Sequence, residues 1–274
     1  RIPNPKVAGS NPAGDAFFAP LHRKLQNLVI HRLLCLLVLL SLLLPSCTSS
    51  PDKVVSGVNY EVKTWGSMRA VMKEGKISGR VPLAEVVTPN SIGVGALANL
   101  EGEITLIDGI AFIASGSTDP SSDQQVSHSR NLLKSDQATL LVIAEVPHWE
   151  SVKLGPCATY SEMEKKVSAV LKERGFDLLK PTPVKVRGVA GRVDFHVIAG
   201  SCPIADPQGI PPWRGSIIEE PLELVGIYVE KSAGKLTHHL HNSHLHVVSG
   251  SRSGHVDAIQ LHSAELQIPR IAER

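Results

Sequence analysis

A β-dominated α+β fold is what the sequence predicts, and three observations support it. Short apolar runs separated by turn residues recur from Tyr60 onward, which is typical of strands joined by short loops. Only one long stretch, SEMEKKVSAVLKERG, has the spacing of an amphipathic helix. Hydrophobic residues make up 42% of the 274 residues, which is enough to bury a core. We therefore expect an α/β (α+β) fold with β-dominated sheets and few helices.

The first half of the predicted domain opens with a short helix. GSMRAVMKEG has Ser67 as its N-cap and ends at Gly75. EITLIDGIAFIA predicts two strands around a turn at Asp108, and ATLLVIAEVPHW predicts a buried strand. Three strands are therefore expected to follow the short helix.

The long helix is predicted to begin with a capping box formed by Ser161 and Glu164. Met163, Val167 and Leu171 lie on one face, as core residues do. The strands expected after it are TPVKVRGVAG, RVDFHVIAG, LELVGIYVE, SHLHVVSG and VDAIQLHSAELQI. The apolar face formed by Met163, Val167 and Leu171 indicates core packing rather than a cofactor site.

Helix 161–174 is expected to connect two β subdomains. They would span residues 60–155 and 178–270 within one domain, residues 60–270. We find no internal repeat in the sequence.

The N-terminal residues 1–47 predict an export leader. Basic residues and histidines precede the apolar run Leu33–Leu44, which is shorter than the roughly 20 residues of a membrane-spanning helix. The sequence LPSC that follows resembles a bacterial lipobox, which would place the lipid on Cys47. Residues 48–59 would then be a linker. We expect a membrane-anchored lipoprotein, or otherwise a secreted periplasmic or extracellular protein.

Composition narrows the class of partner. The net charge is only +2 and no basic block occurs outside the N-terminus, which argues against nucleic acid. Aromatic residues make up 4%, too few for base-stacking platforms. A small molecule or an ion is the expected partner. Cys157 and Cys202 remain in the exported part, where they could pair or stay as free thiols.

Seven of the twelve histidines lie between His238 and His262. His244 and His246 would share one face of a strand, and the turn SGSRSG would bring His255 beside them on the next strand. Three imidazoles with an open fourth position are typical of a catalytic zinc site, although other divalent transition metals accept the same ligands. A solvated strand edge and a pH-sensing cluster are the alternatives.

Glu103 is the local candidate for proton transfer. It follows Gly102 at the start of a predicted strand, where its carboxylate could project into a cavity. An exposed glutamate on a strand is the alternative interpretation.

Four stretches in this order resemble the acetolactate decarboxylase family. They are YEVKTWGSMRAVMKEGKISGRVPLAEVV, SIGVGALANLEGEITLIDG, PTPVKVRGVAGRVDFHVI and SHLHVVSGSRSGHVDAIQL. The resemblance implies mixed sheets, a frequent homodimer, and zinc bound by His244, His246 and His255. It also implies decarboxylation of 2-acetolactate, or of a related 2-hydroxy-3-oxo acid, to acetoin, with Glu103 as the active-site glutamate.

The chain departs from the family's pattern at three places. Lys185 stands where the family has an arginine, with Arg187 two residues further on, and lysine cannot form the bidentate fork that arginine offers a carboxylate. The metal turn is two residues shorter. Glu101 or Asp257 would have to replace the family's C-terminal carboxylate.

These departures leave two main hypotheses. The first is a zinc-dependent carboxy-lyase in which Glu103 and Lys185 act on a small-molecule substrate. The second is an exported relative that binds a metal or ligand without decarboxylase turnover. A zinc hydrolase has less support because the sequence contains no HExxH motif and no nucleophile elbow.

Overall fold

Two β-sheets dominate the fold. The structure, a computed structural model, describes residues 60–116, 130–202, 206–238 and 240–271. The predicted leader, the lipidation site Cys47 and the linker 48–59 lie outside the described residues. Among the described residues, no helix is both long enough and apolar enough to cross a membrane.

The first sheet is built from the N-terminal part of the chain. Its strands are β1 (Val62–Trp65), β2 (Val81–Pro82), β3 (Ser91–Leu97), β4 (Glu103–Ile107), β5 (Ile110–Ala114) and β6 (Gln137–Glu145). The order is β1-β6-β3-β4-β5, and β2 also pairs with β6. The predicted hairpin at Asp108 is confirmed: Asp108 and Gly109 both have positive φ and connect β4 to β5.

The second sheet holds the C-terminal strands. They are β7 (Trp149–Lys153), β8 (Thr182–Val197), β9 (Trp213–Ile217), β10 (Pro221–Tyr228), β11 (Ser243–Ser249) and β12 (Arg252–Pro269). The order is β7-β12-β11-β10-β8-β9, with a further pairing of β12 to β8. β11 lies between β10 and β12, and β8 pairs with both of these strands. The four strands β8, β10, β11 and β12 therefore form a closed ring of pairings.

The predicted β-dominated fold with two sheets and few helices is confirmed. The helical segments among the described residues are α1 (Met68–Glu74), α2 (Leu83–Val86), a 3-10 turn (Ala98–Leu100) and α3 (Tyr160–Glu173). The resemblance implied mixed sheets, whereas every ladder between these twelve strands is antiparallel.

The predicted caps of α1 are confirmed. Ser67 accepts the backbone N–H of Ala70 at 3.1 Å, and Gly75 ends the helix with φ of 61°.

The long helix α3 starts earlier than predicted. Its N-cap is Thr159, whose side chain accepts the backbone N–H of Glu162, so the predicted Ser161–Glu164 capping box is wrong. Glu164 instead turns inward and accepts the backbone N–H groups of Asn242 and Ser243 at 2.9 and 2.8 Å. The helix thereby supports the first residue of β11.

The apolar face of α3 packs on the second sheet, as its periodicity predicted. Met163, Val167 and Leu171 are buried in one cluster with strand residues such as Phe195 and Leu266. Cys157 belongs to this core, whereas Cys202 packs against a separate cluster around α1, and both are free thiols. The core therefore holds β8, β11 and β12 in fixed positions beneath the candidate site.

Candidate metal centre and cavity

Three buried histidines converge where β11 and β12 pair. His246 and His255 are direct cross-strand partners, and His244 lies two residues before His246 on the same face of β11. One ring nitrogen from each lies within 4.8 Å of the other two. Their exposed fractions are 3% for His244, 0% for His246 and 7% for His255, so this is not a solvated strand edge. The cluster could bind a metal ion.

Hydrogen bonds at Nδ1 orient two of these rings. His244 Nδ1 lies 3.2 Å from the carbonyl oxygen of Leu236, which has no proton, so this nitrogen is the donor. His246 Nδ1 lies 3.0 Å from Thr105 Oγ1. With Nδ1 engaged in each ring, Nε2 is the nitrogen left for another ligand.

The chemistry of the donor set fits a metal ion. His246 Nε2 is buried and has no hydrogen-bond partner among the described residues. A buried polar atom left in this condition costs about 1–3 kcal/mol, which coordination would recover. An imidazole held by a hydrogen bond at its other nitrogen is the arrangement usual for metal-ligating histidines.

The buried imidazoles stay neutral at physiological pH. Burial lowers the pKa of His244 to about 3, and the nearby His238 contributes. Burial likewise lowers the pKa values of His246 and His255 well below the usual range, and neighbouring imidazoles add to the effect. A lowered pKa in all three imidazoles argues against the pH-sensing alternative. Neutral imidazole is the form that binds metals.

Glu103 reaches the cluster from the other sheet. It is the first residue of β4, 5% exposed, and its Oε2 lies 3.7 Å from His246 Nε2. Its Oε1 accepts the backbone N–H of Ile198 at 3.4 Å. Burial raises the pKa of Glu103 to about 7, against the opposing effects of His196 and the Ile198 N–H. A carboxyl group able to exchange protons near neutral pH therefore lies beside the histidines.

A cavity of about 290 Å³ opens onto these groups. Glu103, His244 and His255 line its polar end. Its apolar wall includes Met68, Val71, Met72, Ala96, Leu140 and Ile198. Since α1 supplies three of these side chains, the cavity suits a small molecule with both a polar and an apolar end.

One transverse row of cross-strand partners places most of the polar residues. Direct partners on neighbouring strands have their side chains on the same face. This row starts on β9, crosses β8, β12, β11 and β10, and returns to β8. In that order its residues are Arg214, His196, His255, His246, Val225 and Lys185. The two ends of this row carry positive charges, and only the Arg214 end lies in the cavity.

The structure does not bring Lys185 to the cavity. The side chain is 2% exposed, and its Nζ lies 2.9 and 3.0 Å from the carboxylate oxygens of Asp108 and 4.4 Å from the ring centroid of Trp149. Val225 separates Lys185 from His246 in the row. Arg187, the other basic residue of that strand segment, pairs with Glu223 at 3.2 Å.

His196 and Arg214 were not predicted as site residues, and Asp257 was predicted only as a replacement carboxylate. One oxygen of Asp257 lies 2.7 Å from His196 Nδ1 and the other 2.7 Å from Arg214 Nη1. All three line the cavity. Glu101, the other replacement considered, is exposed and accepts a hydrogen bond from Asn99.

A β-bulge directs Asp257 into the cavity. The ladder between β12 and β8 shifts register between Val256 and Ala258, so Asp257 is the extra residue. The bulge allows Val256 and Ile259, three residues apart, both to enter the core. His238 also lines the cavity, with its ring centroid 4.4 Å from that of His255, whereas the ring of His241 packs at 4.0 Å on Tyr160.

Comparisons with known proteins give a structural likeness only. No family model and no curated protein matches the sequence. The structure of alpha-acetolactate decarboxylase from Bacillus subtilis strain 168 matches with a TM-score of 0.61 at 16% identity. A Staphylococcus aureus protein of unknown function, described as similar to alpha-acetolactate decarboxylase, matches with a TM-score of 0.61 at 15% identity.

A third structure gives the same result. Acetolactate decarboxylase from Bacillus subtilis subspecies spizizenii matches with a TM-score of 0.57 at 15% identity. Each of the three matches covers 77% of this chain and 86% of the other. The chain has an acetolactate decarboxylase-like fold. At these identities the likeness concerns the fold, and the chemistry must be argued from the site.

Proposed function

We propose that the chain is a zinc-dependent carboxy-lyase that decarboxylates 2-acetolactate, or a related 2-hydroxy-3-oxo acid, with acetoin as the product from 2-acetolactate. One observation carries the proposal. Three neutral imidazoles, those of His244, His246 and His255, meet beside the buried Glu103 carboxyl, and His244, His255 and Glu103 line a cavity of about 290 Å³. The acetolactate decarboxylase-like fold supports the same reaction class.

The ligand set favours zinc over the alkaline-earth ions. His244, His246 and His255 would hold the ion, and neutral imidazole is a ligand for zinc, copper, iron and nickel, whereas magnesium and calcium take oxygen ligands. A bound zinc ion would supply Lewis acidity toward the oxygen atoms of the substrate. Three protein ligands, rather than four, are usual for catalytic zinc.

Glu103 is the group that would handle the proton. When the bond between the carboxylate carbon and C2 breaks, carbon dioxide leaves and the electron pair stays on C2. That carbon must then take up one proton, which the Glu103 carboxyl would donate, and solvent would later restore it. Because Glu103 approaches His246 from β4, the proton would arrive on one face of C2.

The apolar wall would keep water away from that carbon. Met68, Val71 and Met72 of α1 line the cavity and belong to one apolar cluster with Ala96 and Leu140. Exclusion of water strengthens the electrostatic interactions inside the cavity and reserves the protonation for Glu103.

Acetoin formation by the purified chain tests the proposal. The chain is loaded with zinc and assayed with 2-acetolactate. Glu103→Gln should retain zinc but lose about 10²–10⁴-fold in kcat, since positioned acid–base groups contribute that much. Glu101→Gln, an exposed neighbour on the same segment, is the matched control and should keep full activity.

Two results would overturn the proposal. Full activity in Glu103→Gln would remove Glu103 from the reaction. A zinc-loaded wild-type chain that forms no acetoin would favour the metal-binding or ligand-binding relative without turnover, a hypothesis that the ion pair between Lys185 and Asp108 supports.

A further inference from the structure

Arg214 is the one lysine or arginine among the described residues that line the cavity. Its side chain is 66% exposed, so the guanidinium lies at the solvent side of the cavity. It stands in the same transverse row as His255, with His196 on the strand between them. A charged group thus faces the histidines from the mouth of the cavity.

Asp257 fixes the position of this guanidinium. One carboxylate oxygen lies 2.7 Å from Arg214 Nη1 and the other 2.7 Å from His196 Nδ1. The bond to Asp257 occupies one of the five N–H groups of the guanidinium. Among the described residues, no other side-chain hydrogen bond of Arg214 is found. The remaining N–H groups of its guanidinium can therefore donate to another anion.

The other cation of the row is not available for that purpose. Lys185 is buried, both oxygens of Asp108 lie within 3.0 Å of its Nζ, and Val225 separates it from His246. To reach the cavity, the buried Lys185 ammonium would have to give up its ion pair with the half-exposed Asp108, which is unfavourable.

We infer that Arg214 binds the carboxylate of the substrate at the mouth of the cavity and that Asp257 is its positioning residue. The inference rests on the proposed function and extends it to the residue that binds the carboxylate and to the orientation of the substrate. The substrate is a 2-hydroxy acid anion with its carboxylate toward solvent and its apolar end against α1. In this orientation the group that leaves as carbon dioxide is the one nearest the exit.

The experiment compares two unreactive probes of nearly the same shape, one anionic and one neutral. They are 2-hydroxy-2-methylbutanoate and its neutral amide, titrated calorimetrically into the zinc-loaded full chain. Wild type should bind the anion about 10-fold or more tightly than the amide, as hydrogen bonds to charged groups predict. Raising the salt concentration should reduce the difference in affinity between the anion and the amide, because the Arg214 guanidinium is exposed and salt screens its charge.

Variants assign the preference to a residue. Arg214→Gln should remove the preference for the anion and leave the zinc content unchanged, while Arg214→Lys should restore part of it. Asp257→Asn should weaken the preference less than Arg214→Gln does. The matched control is Arg192→Gln, an arginine of β8 that pairs with Asp194 and does not line the cavity, and it should behave as wild type.

The results separate this inference from the proposed reaction. An anion preference that persists in Arg214→Gln, that disappears only in Lys185→Gln, or that is missing from wild type would overturn the inference. Loss of the preference in Arg214→Gln, together with no acetoin from wild type, would retain the anion site and reject the decarboxylation. Acetoin formation with an unchanged KM in Arg214→Gln would retain the reaction and reject the role of Arg214.

Discussion

Substitution of His246 by leucine should abolish zinc binding and leave the stability of the metal-free chain nearly unchanged. The side chain is 0% exposed, its Nδ1 bonds Thr105 Oγ1, and its Nε2 has no hydrogen-bond partner among the described residues. Leucine removes the unpartnered Nε2, which costs about 1–3 kcal/mol, but leaves the buried hydroxyl of Thr105 without its partner at a similar cost. Metal-free His246→Leu should therefore unfold close to the wild-type temperature.

The double variant His246→Leu/Thr105→Val removes both polar partners. Replacement of both by apolar groups of similar shape is close to neutral or stabilising. The metal-free double variant should therefore be at least as stable as metal-free wild type, and by up to about 3 kcal/mol more stable.

Zinc should stabilise only the chains that keep the site. Free zinc at 100 times its Kd would stabilise wild type by about 2.7 kcal/mol. For a domain of this size that corresponds to a rise in Tm of about 5–10 °C. His246→Leu and the double variant should lose this rise, whereas His262→Leu should keep it because His262 is half exposed and bonds Glu219 away from the cavity.

Thermal unfolding with and without added zinc checks these expectations. An unchanged zinc-dependent rise in His246→Leu would refute the metal site. A metal-free double variant that is much less stable than wild type would show that His246 is an ordinary core histidine.

Three further predictions concern residues that do not line the cavity. Glu164→Ala should destabilise the chain by about 1–3 kcal/mol and weaken zinc binding, because two backbone N–H groups at the start of β11 lose their acceptor; unaltered zinc affinity in a calorimetric titration would count against this. Gly226→Ala should lower Tm and zinc affinity together, since a Cβ there would overlap the carbonyl oxygen of His244, and a wild-type Tm would contradict the prediction. Burial raises the pKa of Asp136, but hydrogen bonds from Arg130 and a backbone N–H outweigh it and lower that pKa below its usual value. This stabilisation is present above about pH 4, the unfolded pKa, and is lost as the pH falls through the folded pKa, so Asp136→Asn should be less stable than wild type at pH 7 and the difference should shrink in acid; a constant difference down to pH 2 would disprove the linkage.

The local part of the site could be predicted from the sequence. Alternation along a strand places His244 and His246 on one face, and a short turn brings His255 opposite them, so no long-range information is needed. The β4–β5 hairpin was predictable for the same reason, since Asp108 and the glycine after it tolerate positive φ.

The predicted start of α3 was wrong for a physical reason that involves two capping patterns. Two overlapping capping patterns occur, one from Thr159 to Glu162 and one from Ser161 to Glu164. Local preference does not decide between them. The second glutamate is needed by the backbone of Ser243, a contact across 79 residues, and so the helix begins at the first pattern.

The positions of Lys185 and Arg214 depend on pairing between distant strands. Period-two alternation gives the face of a strand but not the neighbours of that strand. Because β8 pairs with both β10 and β12, the row that begins at His255 leads in one direction to Arg214 and in the other to Lys185. The resemblance therefore pointed to Lys185 as the basic group, and only the pairing of distant strands shows that Arg214 is the one that reaches the cavity.

The unpartnered Nε2 of His246 connects stability with function. A chain selected only for stability would fill this interior position with an apolar side chain, because a buried imidazole nitrogen without a partner is unfavourable. Thr105 and Leu236 hold two of the rings at Nδ1, which directs Nε2 toward a common point instead of allowing each ring to find its own partner. The metal-free fold thus carries a cost that a ligand at that point would remove, and the removal of this cost adds to the affinity for the ligand. For this reason the His246 and Thr105 variants are the sharpest test, since one atom is expected to lower the stability of the metal-free chain and to bind the zinc.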